Sequence, residues 1–407
     1  MNPNLPRLTL VSVLACTNFA YAAEPEAPTS LEEALSKGKF SLNVRLRVEQ
    51  VDVKPLEADA VTVRTRFGYK TAPYHGFTAY IEGQNNTALH DDYREPGTPP
   101  NGYALIADPE ATQISQAWLG YTSKAYATTV TAGRQRIVYD NARFIGDVAW
   151  RNNLQTYESV TLKNTSVAKL EVNYAYIWDV KRIFANPPAV AFKDFDSQSH
   201  LLNVSYAGLP IGKLTGYAYL LDFRNGLASS SASYGASLVG SQAAGASGVT
   251  VGYRAEYASQ SDYADNPASY DADYYVGELN LGYQGFGLQL GYNVLGSDDG
   301  VAAFQTPLAT GHAFNGWADI FLNTPVDGLK AGYVGLTLPI PGGVVATIKY
   351  FDFKADNGSA KYGDEYDFQL AYKINKEFTL LGKVAMYKAR DFGIDTERYI
   401  AQLEYNF

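Results

Sequence analysis

Of the 14 arginines that follow residue 22, nine fall between residues 45 and 151. Arg45 and Arg47 stand two apart, as do Arg64 and Arg66, and in an extended strand residues two apart share a face. If the two segments pair, the four guanidiniums form one patch. A guanidinium is always charged and its planar fork matches a carboxylate, so such a patch suits the handling of anions. Arg398 and Glu404 would join it if the last segment of the chain closed beside the first. The same arginines could instead pair with Glu49, Glu82, Glu171, Glu256 and Glu278 and simply stiffen a wall; the sequence leaves both readings open. Arg134 and Arg136 share parity with Val130 and Ala132, so a bulge or a rim position is open for them.

Other chemistry is thinly supplied. The single cysteine, Cys16, lies in the leader, and the four histidines (His75, His90, His200 and His312) are widely separated. Neither a thiolate nucleophile nor a clustered zinc site can be drawn. His312 with Asp319 hints at hydrolysis, but no serine partner or second histidine accompanies them. Asp262, Asp265, Asp271, Asp273, Asp298 and Asp299 match no defined cation loop and read as a solvated acidic surface. A net charge of −9 argues against nucleic acid as a partner. The expectation is no catalytic residue, no metal, no cofactor and no enzyme activity.

These residues need elements to hold them, and from residue 39 onward segments of about ten residues alternate strictly. Phe40, Leu42, Val44, Leu46 and Val48 oppose Ser41, Asn43, Arg45, Arg47 and Glu49. Val61, Val63, Thr65, Phe67 and Tyr69 oppose Thr62, Arg64, Arg66, Gly68 and Lys70. The pattern repeats to Tyr399, Ala401, Leu403, Tyr405 and Phe407, which oppose Arg398, Gln402 and Glu404. Aromatics gather at segment ends (Tyr69, Tyr121, Trp178, Tyr206, Tyr257, Tyr283, Tyr350), and connections alternate short and long. A soluble sandwich also alternates, but those two features and the terminal Phe407 favour an all-β transmembrane antiparallel β-barrel. About 18 strands are expected, with short periplasmic turns and long extracellular loops; sixteen is the alternative count. No run of ~18 apolar residues offers a membrane-spanning helix after residue 22.

Residues 1–22 read as a signal peptide: Arg7 precedes the apolar Leu8–Ala15, and Ala20-Tyr21-Ala22 forms an A-x-A cleavage site. A lipoprotein signal ending at Cys16 is the rival reading. Residues 23–38 lack alternation and read as a periplasmic segment, or a plug into the barrel mouth, with a helical turn at Leu31–Leu35. The barrel then occupies 39–407.

Two blocks carry a resemblance. Gly133-Arg134-Gln135-Arg136 with Phe144-Ile145-Gly146, Trp150-Arg151-Asn152-Asn153 and Gln155-Thr156 is the first. Phe304-Gln305-Thr306-Pro307-Leu308 with His312-Ala313-Phe314-Asn315-Gly316-Trp317-Ala318-Asp319 and Thr324-Pro325 is the second. Both resemble the alginate-export family of outer-membrane porins, over most of residues 39–407. The resemblance implies an eighteen-stranded barrel with an electropositive lumen conducting an anionic polyuronate or related anion. Carried over by residue, it implies anion contact in the lumen at Arg45, Arg47, Arg64 and Arg66, where polar-face parity agrees. At Arg134 and Arg151 the same role rests on the matching block alone; Arg136, beside Arg134, and Arg398, brought alongside by barrel closure, are expected to contact anions with them. His312, Phe314, Asn315, Trp317 and Asp319 then form a loop folded inward to narrow the pore.

The expected protein is a monomeric porin of the bacterial outer membrane, surrounded by lipid and lipopolysaccharide. It would pass anionic solutes, alginate or related uronate saccharides, without an energy source. Two other classes stay open: a scaffold or assembly barrel with incidental conductance, and a barrel-embedded hydrolase, which would need a Ser–His pair facing lipid.

Overall fold

The computed structural model describes residues 27–184, 193–245 and 248–407; the expected signal peptide and Cys16 lie outside them. The described chain forms one 18-stranded antiparallel sheet closed on itself. The strands are β1 Lys39–Val53, β2 Leu56–Lys70, β3 Phe77–Asp92, β4 Ala111–Ser123, β5 Thr128–Gln135 and β6 Thr156–Asn164. Next come β7 Leu170–Lys181, β8 Asp194–Leu209, β9 Gly212–Leu221, β10 Ser231–Ala243, β11 Val249–Asp262 and β12 Asp271–Tyr283. The last six are β13 Phe286–Leu295, β14 Leu329–Ile340, β15 Val344–Lys354, β16 Lys361–Lys373, β17 Phe378–Ala389 and β18 Thr396–Asn406.

Closure follows from β1 pairing on both sides, with β2 from Lys39↔Lys70 to Val53↔Leu56 and with β18 from Asn43↔Asn406 to Asp52↔Glu397. Phe407 and Leu42 exchange two backbone hydrogen bonds at the seam. A closed sheet leaves no unpaired edge, so the ladder N–H and C=O groups find their partners within the barrel.

Alternation sorts the side chains. In β1 the buried residues are Arg45, Arg47, Glu49 and Val51, while Leu46 and Val48 between them are exposed. Around the barrel the outward face is apolar, with Ile81, Leu119, Leu162, Leu279, Leu290, Leu336 and Leu370 exposed. Aromatic belts edge this band at both ends. Phe40 packs on Tyr69 (4.6 Å between ring centres), Phe77 on Tyr121 (4.9 Å) and Phe378 on Tyr405 (4.9 Å) at the end where β1 starts and β18 finishes. Tyr350 packs on Tyr366 at 5.0 Å at the other end. An apolar band between aromatic belts is the outer surface of a membrane barrel.

At the end where β1 starts, a short helix, α1 (Leu31–Ser36), lies where the sequence suggested a helical turn. Ser30 caps it by accepting from the Glu33 N–H, and the Ala34 carbonyl accepts from Ala72 N–H at 3.0 Å, docking it beside β2. The two longest described connections, 136–155 and 296–328, leave the opposite end and fold into the barrel. Their side chains Ile145, Leu308 and Phe304 join a buried core with wall residues such as Tyr157, Tyr274 and Phe353. The lumen is thus part filled by packed apolar and charged side chains, and what positions the charges is the junction of these two loops with the wall.

Candidate functional site

The charged wall is built by β18, β1 and β2. Arg45 lies opposite Arg64 on one side and Glu404 on the other, and Arg47 lies opposite Gln402. Arg45, Arg47, Arg64, Arg66 and Arg398 all face the barrel interior and all are buried. They do not form a bare ladder along an open lumen. Residues 147–153 lie across them.

Arg45 donates to Glu404 Oε2 through Nε at 3.2 Å and Nη2 at 3.0 Å. Its Nη1 meets the carbonyls of Ala149, Trp150 and Arg151 at 3.3, 3.1 and 3.3 Å. Arg47 donates to Asp108 Oδ2 at 3.0 Å, to the Trp150 carbonyl at 2.6 Å and to Gln402 Oε1 at 2.8 Å. Asp108 comes from the β3–β4 connection, and its Oδ1 accepts the Asn152 N–H at 2.6 Å. Main-chain carbonyls without ladder partners are thereby satisfied by wall guanidiniums, which is what lets irregular backbone sit at membrane depth.

Arg151 joins three pieces of chain. Its Nη1 reaches both oxygens of Glu49 at 3.1 Å, and its Nη2 reaches Asp319 Oδ2, in the second inward loop, at 2.7 Å. Arg398 also binds Glu49. The wall is positive on balance: six guanidiniums (45, 47, 64, 66, 151 and 398) meet five carboxylates (Glu49, Glu82, Asp108, Asp319 and Glu404). The surplus sits on β2. Arg66 hydrogen-bonds to the neutral Gln84 Oε1 and Asn152 carbonyl, each at 2.6 Å, with the Glu82 carboxylate of β3 on the same face, and Arg64 leaves Nε and Nη1 without a hydrogen-bond partner among the described residues.

A second constellation lies beside the first. Lys383 of β17 donates to His312 Nε2 at 2.9 Å and stands 3.9 Å from the Trp150 ring centre and 4.0 Å from that of Trp317. His312 stacks on Trp150 at 4.2 Å, and its Nδ1 lies 2.7 Å from Asp319 Oδ1. Burial, then the Lys383 ammonium, lower the His312 imidazole to about 3. Gly316, at φ +85, lies against Glu365, where a Cβ would strike the carboxylate; Glu365 Oε1 accepts the Ala318 N–H at 2.7 Å. Asn315 donates to the Phe321 carbonyl at 3.5 Å, and Phe314 covers the Arg143 guanidinium at 4.9 Å. His312, Phe314, Asn315, Trp317 and Asp319 therefore do lie within the barrel.

One expected lumen residue does not. Arg134 keeps the outward parity of Ala132, pairs across the β4–β5 register with outward-facing Ala117, and donates to Glu158 at 2.8 Å and to the Ile114 carbonyl at 2.6 Å. No register shift separates β4 from β5 there, so nothing turns it inward. The rim alternative that its parity left open is the one realised. Arg136, just past β5, does point in: Nε donates to Asp147 at 2.7 Å, its side chain is 43% exposed, and it lines an interior cavity.

Sequence reasoning missed Asp108, Lys383 and Arg143, whose guanidinium lies over the Tyr274 and Phe314 rings. The parity of Lys383 with Ala385 and Tyr387 places it inward and was legible. Asp108 sits in a non-alternating connection and offered no signal. Among the described residues, no group of three or more His, Cys, Asp or Glu could hold a metal ion.

The barrel is similar to solved outer-membrane channels. A Pseudomonas aeruginosa OpdK structure with vanillate superposes with a TM-score of 0.73 at 14% identity, covering 92% of this chain and 99% of that one. Pseudomonas aeruginosa OccK9 (OpdG) gives 0.72 at 15% identity, with 92% and 99% covered. Acinetobacter baumannii OccAB3 gives 0.69 at 14% identity, with 91% and 100% covered. At such identities the likeness speaks for the fold. No curated protein matches the sequence. Inward loops held on an arginine wall are the setting of the two sequence blocks, and the family model for alginate export matches residues 40–293, well over half the length; the chain belongs to the alginate export family.

Proposed function

We propose that the protein is an outer-membrane porin that passes anionic solutes, alginate or related uronate saccharides, by diffusion through its lumen. The observation that carries this reading is the surplus of guanidiniums on the β18–β1–β2 wall of a chain whose net charge is −9: acidic residues dominate the molecule, yet this wall beside the inward loops holds more guanidiniums than carboxylates. A low-dielectric wall of that sign concentrates anions, and weak, repeated contacts let them leave again. Membership of the alginate export family and the porin-like barrel support the same reading.

The arginines divide their roles in this proposal. Arg64 and Arg66, underpaired on β2, supply the field; Arg136, half exposed, offers direct contact; Arg45, Arg47, Arg151 and Arg398 hold the inward loops that set the width. His312 to Asp319 narrow the passage. The test is the reversal potential of the refolded protein in a planar bilayer under a KCl gradient. Anion selectivity is expected; cation selectivity or absence of conductance overturns the proposal and favours a scaffold barrel.

A further inference from the structure

Away from the buried wall, at the end where β1 starts and β18 finishes, the interior opens into a cavity of about 340 Å³ between the inward segment 135–140 and β5–β9. Its charges differ in kind from those of the wall. Lys163 pairs with Glu171 at 2.7 Å with side chains 53% and 38% exposed, and Lys213 pairs with Asp140 at 3.0 Å with side chains 43% and 16% exposed. A half-exposed ion pair such as Lys163–Glu171 contributes only about 0–1 kcal/mol, and Lys213, itself half exposed, can turn to solvent while Asp140 keeps its other donor, so either lysine can accept another partner at little cost. The buried pairs around Arg151 cannot, because opening them leaves a desolvated guanidinium without its carboxylates.

The rest of the lining is amide, hydroxyl and aromatic. Asn173 donates to Glu171 at 2.9 Å and Asn203 to Asp140 at 2.9 Å, so each carboxylate is already held by a neutral donor and stays in place when its lysine turns away. Tyr139 lines the cavity and stacks on Tyr219 at 6.2 Å. Adjacent donors, acceptors and an aromatic side chain match a solute that carries carboxylates and hydroxyls on an apolar ring skeleton. The volume falls within the usual range of ligand pockets, roughly 300–1,000 Å³.

We propose that this vestibule is a binding subsite for a segment of an acidic saccharide, with Lys163 and Lys213 taking carboxylates and Glu171 and Asp140 accepting from ring hydroxyls. The proposal rests on the porin reading for its biological sense but not for its test. In that setting the vestibule stands at the periplasmic mouth, where it holds the solute before it meets the narrower, positively charged wall.

The test is calorimetric titration of the solubilised full-length protein with an oligouronate, beside a neutral oligosaccharide of equal length. The native protein should bind the uronate more tightly than the neutral sugar. Lys163→Gln with Lys213→Gln should weaken uronate binding by about tenfold or more, the size of one to two charge-assisted hydrogen bonds. Glu171→Gln, made separately, should weaken both sugars alike and guards against a double variant that fails to fold, which gel mobility of the unheated barrel reports. Undiminished uronate binding in both folded variants, or none by the native protein, overturns the subsite. Conductance in the bilayer is read independently, so a protein that binds but does not conduct fails the porin reading alone, and one that conducts but does not bind fails this one alone.

Discussion

Lys383 Nζ lies 2.9 Å from His312 Nε2, and the direction of that hydrogen bond fixes the protonation of the imidazole. An ammonium only donates, so Nε2 accepts and carries no proton. The one ring proton is then on Nδ1, 2.7 Å from Asp319 Oδ1. A relay of cation, neutral ring and carboxylate thus ties β17 to the second inward loop, with Trp150 of the first loop stacked on the ring at 4.2 Å.

Lys383→Met keeps most of the side-chain bulk and removes the donor. The variant leaves His312 Nε2 without its partner and removes a cation that stands about equally close to two indole rings. Losing a buried hydrogen bond to a charged group costs about 1.5–3 kcal/mol, and a desolvated cation–π contact roughly 2 kcal/mol. Loop 296–328 should dock less firmly, seen as faster amide exchange at residues 311–319. Exchange equal to the parent's would show that this lysine does not hold the loop.

The same relay predicts a pH dependence. The folded imidazole is lowered to about 3 from an ordinary value of 6.5, chiefly by burial and then by Lys383. The released ring binds a proton below about 6.5 and the docked ring does not, so docking is at full strength above that value and weakens as pH falls toward 3. One proton sets the limit at about tenfold per pH unit in the open population. Amide exchange of the loop, corrected for intrinsic rate, should therefore rise from pH 6 to pH 4 in the native protein and lose that slope in His312→Asn. A slope that survives in the variant assigns it to another group.

Arg151 holds Glu49 and Asp319 at once, at 3.1 and 2.7 Å, and all three side chains are almost wholly buried. Arg151→Ala leaves two carboxylates facing each other without that partner, a defect of about 3–5 kcal/mol. Both loops should loosen together, giving protease cleavage within 136–155 and a larger single-channel conductance. Arg151→Lys, a point charge that cannot serve as a planar fork, should fall between the two. If only one loop became cleavable, the coupling through Arg151 would be refuted.

How far these relationships can be read from sequence depends on their range. The barrel and its count of about 18 strands were legible because a period of two is local; the Ser/Gly-rich β10, which carries that period weakly, is what left sixteen open. The inward parity of Arg45, Arg47, Arg64, Arg66 and Arg398 was legible for the same reason. What covers them was not. Trp150, Asp108 and Asp319 lie 103, 61 and more than 250 residues from Arg47 in sequence, and loops without period carry no sign of the wall they will meet. Arg134 shows the same boundary from the other side: its parity pointed outward, and only a motif suggested the lumen. Where parity and motif disagreed, parity described the backbone, because no bulge in β5 intervened.

The arginine wall offers the sharpest separation of roles. Arg45 and Arg47 carry Glu404, Asp108 and the carbonyls of residues 149–151, so Arg45→Gln with Arg47→Gln strands acceptors and releases the loop. Arg64 and Arg66 hold no carboxylate tightly: Glu404 lies 3.4 Å from Arg64, and the hydrogen-bond partners of Arg66 are neutral. Arg64→Gln with Arg66→Gln therefore removes positive charge while leaving the loop's main anchors in place. One unit charge at 4 Å contributes about 1 kcal/mol to anion attraction even in water, roughly a fivefold change in occupancy. The β2 double variant should lose several-fold in chloride-over-potassium permeability while its conductance in symmetric salt stays near the parent's. The β1 double variant should change conductance as well, because its loop moves. If instead the β2 variant kept the parent's reversal potential, the wall would be structural throughout and the selectivity would have to arise in the vestibule, at Arg136, Lys163 and Lys213, where the cations are half exposed and can meet a passing anion directly.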